Sequence, residues 1–201
     1  MGTLLQGLSG KLGNQVILNP LNTKKFEEFS ALLSGSEFGG CFCAVWRSLD
    51  DTWSARCSSE AKPNLEITRK NVDGGLHTGF LVYEDSDLIG WTGSGPKTEF
   101  PILETKLGSR LTEFSSDIWS MGCIAVKESS RGKSKSNKII QAVINLAKLD
   151  GAKYVESYPT DPWDEARSYR GSLSQFTKLG FERFGDENDK NSKITCMRLK
   201  L

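Results

Sequence analysis

Residues 123–159, CIAVKESSRGKSKSNKIIQAVINLAKLDGAKYVESYP, carry the choice of fold. They open on the end of WSMGCIAV (119–126), an almost unbroken apolar run that reads as a buried strand. Past a basic turn, Ile139, Ile140, Val143, Ile144 and Ala147 recur at helical spacing, and Gly151 follows as a stop. AKYVESYP (152–159) is then a strand ending at Pro159. The intervening KESSRGKSKSNK (127–138) has three readings. Gly132-Lys133-Ser134 ends like a P-loop, G-x-x-x-x-G-K-[ST], but Lys127 stands where the first Gly must fold the backbone over phosphates. No apolar strand ending in Asp follows to hold magnesium. Arg131 to Ser136 also traces a different anion cradle, R-x-x-G-x-G/A, with Ser134 and Ser136 in the glycine places. The third reading is a plain solvated basic turn. For the second, a helix start supplies orphan N–H donors and the positive end of its dipole, which together hold a diphosphate without a metal.

Working outward, QVILNP (15–20) reads as a short strand, and Asn22 or Thr23 caps a helix through about Leu33 with Phe26, Phe29, Leu32 and Leu33 as its apolar stripe. CFCAVW (41–46) reads as a second strand, with Cys41 and Cys43 on one face. PNLEITRKNV (63–72) is helical, with Pro63 in its first turn. GFLVYEDSDLIGWTG (79–93) is a hairpin around the acidic turn Glu84 to Asp87. SLSQFTKLG (172–180) is a short helix closed by Gly180, and KITCMRLKL (193–201) a last strand. The order is α+β, without internal repeat or second domain.

Composition narrows the functions. The 201 residues carry a net charge of +1, with 37% hydrophobic and 25% charged residues, which suits one soluble domain and offers no general attraction to nucleic acid or an anionic membrane. No apolar run approaches the roughly 20 residues that span a bilayer, and MGTLLQGLSGKLGNQ (1–15) lacks the features of a signal peptide, so a cytoplasmic location is expected. Five scattered cysteines make no disulfide framework, and with His77 as the single histidine neither a zinc site nor a histidine-based mechanism is expected.

Three motifs in order resemble the GNAT superfamily of N-acetyltransferases. The first is the strand, R-x-x-G-x-G/A turn and long helix of 119–158, with Gly151 to Glu156 as the turn into the next strand. Tyr169, Ser172, Phe176, Lys178, Gly180 and Phe181 share the spacing of the family's later N-x-x-A-x-x-x-Y-x-K-x-G-F motif. The hairpin LVYEDSDLIGWTGSGP (81–96) resembles its earlier strand pair. The resemblance covers about residues 80–200, with 1–79 as an N-terminal region of the same single domain. It implies a mixed, mostly antiparallel central sheet flanked by helices, with central strands that splay apart, and direct transfer of an acetyl group from acetyl-CoA to an amine without a metal.

Carried over residue by residue, the backbone of Ile124, Ala125 and Val126 would hold the thioester and pantetheine arm. Arg131, Gly132, Lys133, Ser134, Lys135 and Ser136 would hold the phosphates. The family often has Tyr where this chain has Phe176, so Tyr158 or Tyr169 becomes the candidate acid, and the thiolate can also leave unaided. Glu156 is the candidate base, with Asp161 behind it. Cys123 reads as core rather than nucleophile. The acceptor is a small-molecule or peptide amine; nucleic acid and membrane are not expected partners, and a homodimer is left open. A coenzyme A-binding module without turnover is the alternative.

Overall fold

The computed structural model describes residues 16–48, 52, 55–57, 61–105, 113–132, 134–184 and 195–201. Strands β1 (Val16–Pro20), β2 (Phe80–Glu84), β3 (Asp87–Pro96), β4 (Ile118–Val126), β5 (Tyr154–Ser157), β6 (Glu182–Arg183) and β7 (Met197–Lys200) form one sheet in the order β1-β2-β3-β4-β5-β7-β6. Every neighbouring pair is antiparallel except β4 and β5, which run parallel because α4 (Lys135–Leu149) crosses between them. The α+β class is as the element order implies, and the mostly antiparallel sheet is as the family resemblance implies.

Helix α1 (Phe26–Leu33) follows a 3-10 turn at Thr23–Lys25, whose entry is set by Asn22 Oδ1 accepting from the Lys25 N–H at 3.1 Å. With α2 (Ala61–Asp73) it covers one face of the sheet, where Phe26, Phe29, Leu33, Trp46, Val72, Leu81 and Trp91 pack together. Helix α4 covers the other face with Ile139, Ile140, Val143, Ile144 and Ala147, all buried. Burial of each large aliphatic of that stripe contributes about 1.5–3 kcal/mol. Two shorter helices are α3 (Ile102–Thr105) and α5 (Leu173–Lys178); Ser172 Oγ caps α5 by accepting from the Gln175 N–H at 3.2 Å.

Two irregularities shape the centre. The β3–β4 register pairs Gly93 with Cys123 but Ser94 with Met121, so Gly122 bulges. That extra residue reverses the alternation. Trp119 and Met121 face α4, whereas Cys123 and Ala125 face the α1 side. Glycine is required at the bulge because Trp46 Cε2 lies 2.3 Å from where a Cβ would stand. The second irregularity is the parting of β4 and β5. Their last pair is Met121 with Ser157, and β4 runs on to Val126 paired with β3 but no longer with β5.

One expected strand is absent. Cys41 to Trp46 forms a 3-10 turn at Ala44–Trp46, with the Ala44 N–H donating to Cys41 O at 2.8 Å. Phe42 and Cys43 both take the left-handed conformation, at φ 44° and 60°, so Cys41 and Cys43 do not share a strand face. A six-residue apolar run is ambiguous by periodicity alone. Here the turn inserts Trp46 over Gly122, which a straight strand would not do.

Candidate functional site

Where β4 leaves β5, the chain opens into a cleft of about 1080 Å³. One wall is the free edge of Cys123 to Val126. Its floor is the turn and first residues of α4: Arg131, Gly132, Ser134, Lys135 and Ser136. Trp163 to Gln175 face them, and Leu33 to Val45 close the α1 side.

The polarity of the wall follows from the register. The Lys127 N–H donates to Ile89 O across β3, so Ala125 and Cys123, in step with it, also turn their backbone groups toward β3. Ile124 and Val126, out of step, turn theirs into the cleft, and Val126 O accepts from Arg131 Nε at 3.2 Å. At the floor, Gly132 takes φ 89° and Ser134 φ 55°. Ser134 sits at the cap position of α4, yet its side chain makes no cap bond, which leaves the first-turn N–H groups to other partners. A diphosphate suits such a turn.

The charges there are not all free for an anion. Lys135 and Lys138 both bind Glu84, the latter at 3.3 Å, and Lys135 draws the Glu84 carboxyl below the usual carboxylate range. Arg131 is exposed, and Lys133 lies outside the described residues. Ser136 Oγ accepts from Gln175 Nε2 at 2.8 Å, and Asn137 Oδ1 accepts from the same group at 2.6 Å, which ties the turn to α5 across the cleft.

The three side chains expected to do chemistry separate. Tyr169 lines the cleft; burial holds its phenol above the usual range, partly offset by the Arg170 guanidinium beside it. Tyr158 and Glu156 do not line it. Both are almost wholly buried, Glu156 one residue before and Tyr158 one residue after Ser157, the last β5 residue paired with β4. Tyr158 OH donates to Glu156 Oε2 at 2.9 Å and meets Ser120 Oγ at 2.8 Å, and burial, followed by the Glu156 charge, pushes its phenol well up. Glu156 Oε2 also accepts from Lys97 Nζ at 2.9 Å, and Oε1 accepts from Arg198 at 2.6 and 2.9 Å. Both carboxylate oxygens are therefore committed to donors. Asp161 is on the surface, paired with Arg183. Phe176 is fully buried, edge-on to Phe181 at 5.1 Å, against Gly171 and outside the cleft lining.

Several lining residues escape a local reading. Glu37, Asp164 and Glu165 put carboxylates at the mouth beside a half-exposed Trp163. Cys41, Cys43 and Cys123 line the inner end. Cys123 is thus a cleft residue, because the Gly122 bulge reverses its side.

No protein-family model matches the sequence, and no curated protein matches it. The fold, in contrast, is shared with solved acetyltransferases. AAC(6')-Ib in complex with ribostamycin and coenzyme A superposes with a TM-score of 0.62 at 15% identity, over 93% of this chain and 94% of that one. A GNAT-family acetyltransferase from Listeria monocytogenes gives 0.57 at 11% identity, over 92% and 95%. The PaiA N-acetyltransferase from Thermoplasma acidophilum, in complex with coenzyme A, gives 0.51 at 13% identity, over 93% and 99%. The chain has the GNAT acetyltransferase fold.

Proposed function

We propose that the chain is an acyl-CoA-dependent N-acetyltransferase that moves an acetyl group from acetyl-CoA to a small-molecule amine by direct transfer in a ternary complex. One observation carries the reading: the backbone of Ile124 and Val126, freed where β4 leaves β5, faces a cleft that ends on the uncapped first turn of α4. The structural neighbours bound to coenzyme A support it. The thioester supplies an acyl carbon already activated for attack. The N–H groups of Ile124 and Val126 hold the thioester oxygen and the pantetheine arm, with Ala125 between them. Gly132, Ser134 and Ser136 give the diphosphate backbone donors, while Arg131 supplies cationic charge, joined by Lys133 of the same run, and Lys135 shares its charge with Glu84.

Tyr169 keeps its proton at neutral pH and lies in the cleft, which suits a donor to the leaving sulfur. A thiol pKa near 8.5 makes that demand mild. Glu156 and Tyr158 act as positioning groups: with Lys97, Arg198 and Ser120 they pin the two strands just before they part. The mouth carboxylates Glu37, Asp164 and Glu165 favour a cationic acceptor, and an aminoglycoside-bound neighbour shows a small amine ligand in this fold.

Calorimetric titration with coenzyme A and acetyl-CoA, followed by thiol release over a panel of small amines, tests the proposal. Saturable binding with amine-dependent release is expected. Absence of binding at millimolar ligand overturns it, and binding without release from any amine leaves a coenzyme A-binding module.

A further inference from the structure

The tip of the β2–β3 hairpin meets the entrance of α4, although Glu84 and Lys135 stand 51 residues apart in the chain. A backbone bond fixes the approach: the Lys127 N–H, just past the end of β4, donates to Ile89 O at 2.9 Å. Ile89 is the extra residue between the Val82–Gly90 and Tyr83–Leu88 pairs, so the hairpin is tied at its bulge to the chain that leads into the anion turn. Of the carboxylates at this tip, Asp85 and Asp87 are exposed, while Glu84 turns toward α4. Its Oε2 accepts from Lys135 Nζ and its Oε1 from Lys138 Nζ at 3.3 Å, one lysine to each oxygen. Lys135 lines the cleft floor. Its backbone N–H is already given to Gly132 O at 3.1 Å, so the ammonium is what it has left to offer an anion. That ammonium faces a carboxylate supplied by the protein itself. Partly exposed ion pairs contribute little to stability, so the fold does not depend on this one. A cofactor with a diphosphate and a phosphomonoester brings more charge than one carboxylate, and the two anions compete for the same cation.

We propose that Glu84 sets the affinity of the cofactor site: it is a resident counter-anion that holds Lys135 and Lys138 in the free protein, and a phosphate of the cofactor must take Lys135 from it. The inference rests on the acetyltransferase reading. Lys135 keeps its three donors and turns from one anion to the other, while Lys138, which does not line the cleft, stays with Glu84. Glu84 therefore remains close to the bound phosphate, and the repulsion between them weakens binding. The consequence is quicker release of spent coenzyme A, the kind of step that limits many enzymes.

The test is calorimetric titration of coenzyme A into the parent, Glu84→Gln, Asp85→Asn and Lys135→Met at low ionic strength, where such charges are least screened. Removing a charge beside the phosphate should tighten binding to Glu84→Gln about tenfold. Asp85→Asn removes the same charge from the exposed tip and should bind within about twofold of the parent. Lys135→Met should weaken binding, and by a larger factor when added to Glu84→Gln than to the parent, where Glu84 shares that ammonium. Repeating the titrations with dephospho-coenzyme A identifies the phosphate: a gain that persists assigns it to the diphosphate, and a gain that vanishes assigns it to the 3′-phosphate. Affinity unchanged or weakened in Glu84→Gln, tightened equally in Asp85→Asn, or unchanged in Lys135→Met overturns this inference and leaves the transferase reading standing. Absence of coenzyme A binding in both the parent and Glu84→Gln overturns both.

Discussion

Replacing Glu156 with Gln removes the carboxylate that faces Lys97 and Arg198. Glu156 and Lys97 each have 0% side-chain exposure and lie 2.9 Å apart, while Arg198 keeps a second carboxylate, Glu113, at 2.9 Å. Arg198 is therefore only partly deprived; Lys97 is left as a buried ammonium facing a neutral amide. Breaking a buried pair from one side costs about 3–5 kcal/mol. Against a total of about 5–15 kcal/mol, the Glu156→Gln protein stays folded at 25 °C with a much lower urea midpoint. Adding Lys97→Met removes the buried ammonium that lost its 2.9 Å carboxylate, so the double variant should recover about 2 kcal/mol relative to the sum of the single losses. Equilibrium urea unfolding of the four proteins measures this. A Glu156→Gln loss under about 1 kcal/mol, or additive losses, would refute the account of a buried charge network. The same double variant separates positioning from proton transfer. If Glu156 positions, turnover in the refolded double variant stays within about tenfold of the parent. If it is the base, turnover falls about 10²–10⁴-fold despite the recovered stability.

Ser134→Gly should stabilise the protein. A left-handed non-glycine residue costs about 1–2 kcal/mol, glycine returns about 0.5–1 kcal/mol of that as chain entropy, and no side-chain cap is lost. A Tm raised by about 2 °C in calorimetric scans is expected, and a lowered Tm would mean that the hydroxyl does more than the geometry indicates. His77, half-buried between Phe80 and Gly95 with Nε2 at 2.7 Å from Ser94 O, has its imidazole pushed by burial from 6.5 down to about 4. Between those values the unfolded chain binds a proton that the folded protein does not. Stability is therefore lost as pH falls from about 6.5 to 4, by about 2 kcal/mol once partial exposure is allowed for. Urea midpoints should fall across that window in the parent and less in His77→Gln; parallel slopes would exclude His77 as the cause. Tyr169→Phe should lower kcat about tenfold or more with little change in KM, and an unchanged kcat would mean that the thiolate leaves unaided.

Local chemistry made much of the scaffold legible. The spacing of Ile139, Ile140, Val143, Ile144 and Ala147 placed α4, Gly151 ended it, and the acidic turn after Tyr83 placed the β2–β3 hairpin. The turn from Arg131 to Ser136 has three local readings, P-loop, anion cradle or solvated turn, and of its described residues Arg131, Gly132, Ser134, Lys135 and Ser136 line the cleft. Each of these signals lies within about a dozen residues, where helical or strand period and capping act. Cys41 to Trp46 was misread for the complementary reason: its turn exists to seat Trp46 over Gly122, on a strand far along the chain.

The chemistry of individual side chains followed the same division. That Lys135 and Lys138 are held by Glu84, that Glu156 is locked between Lys97 and Arg198, and that Phe176 turns into the core all depend on partners brought together by sheet register. So does the arrival of Cys43 beside Cys123, which needs both the left-handed turn and the reversed alternation after Gly122. A residue's period and caps are written in its neighbours. Its dielectric surroundings, counter-charge and access to a cleft are set by segments distant in the chain, and those quantities decide whether a carboxylate, phenol or thiol can react.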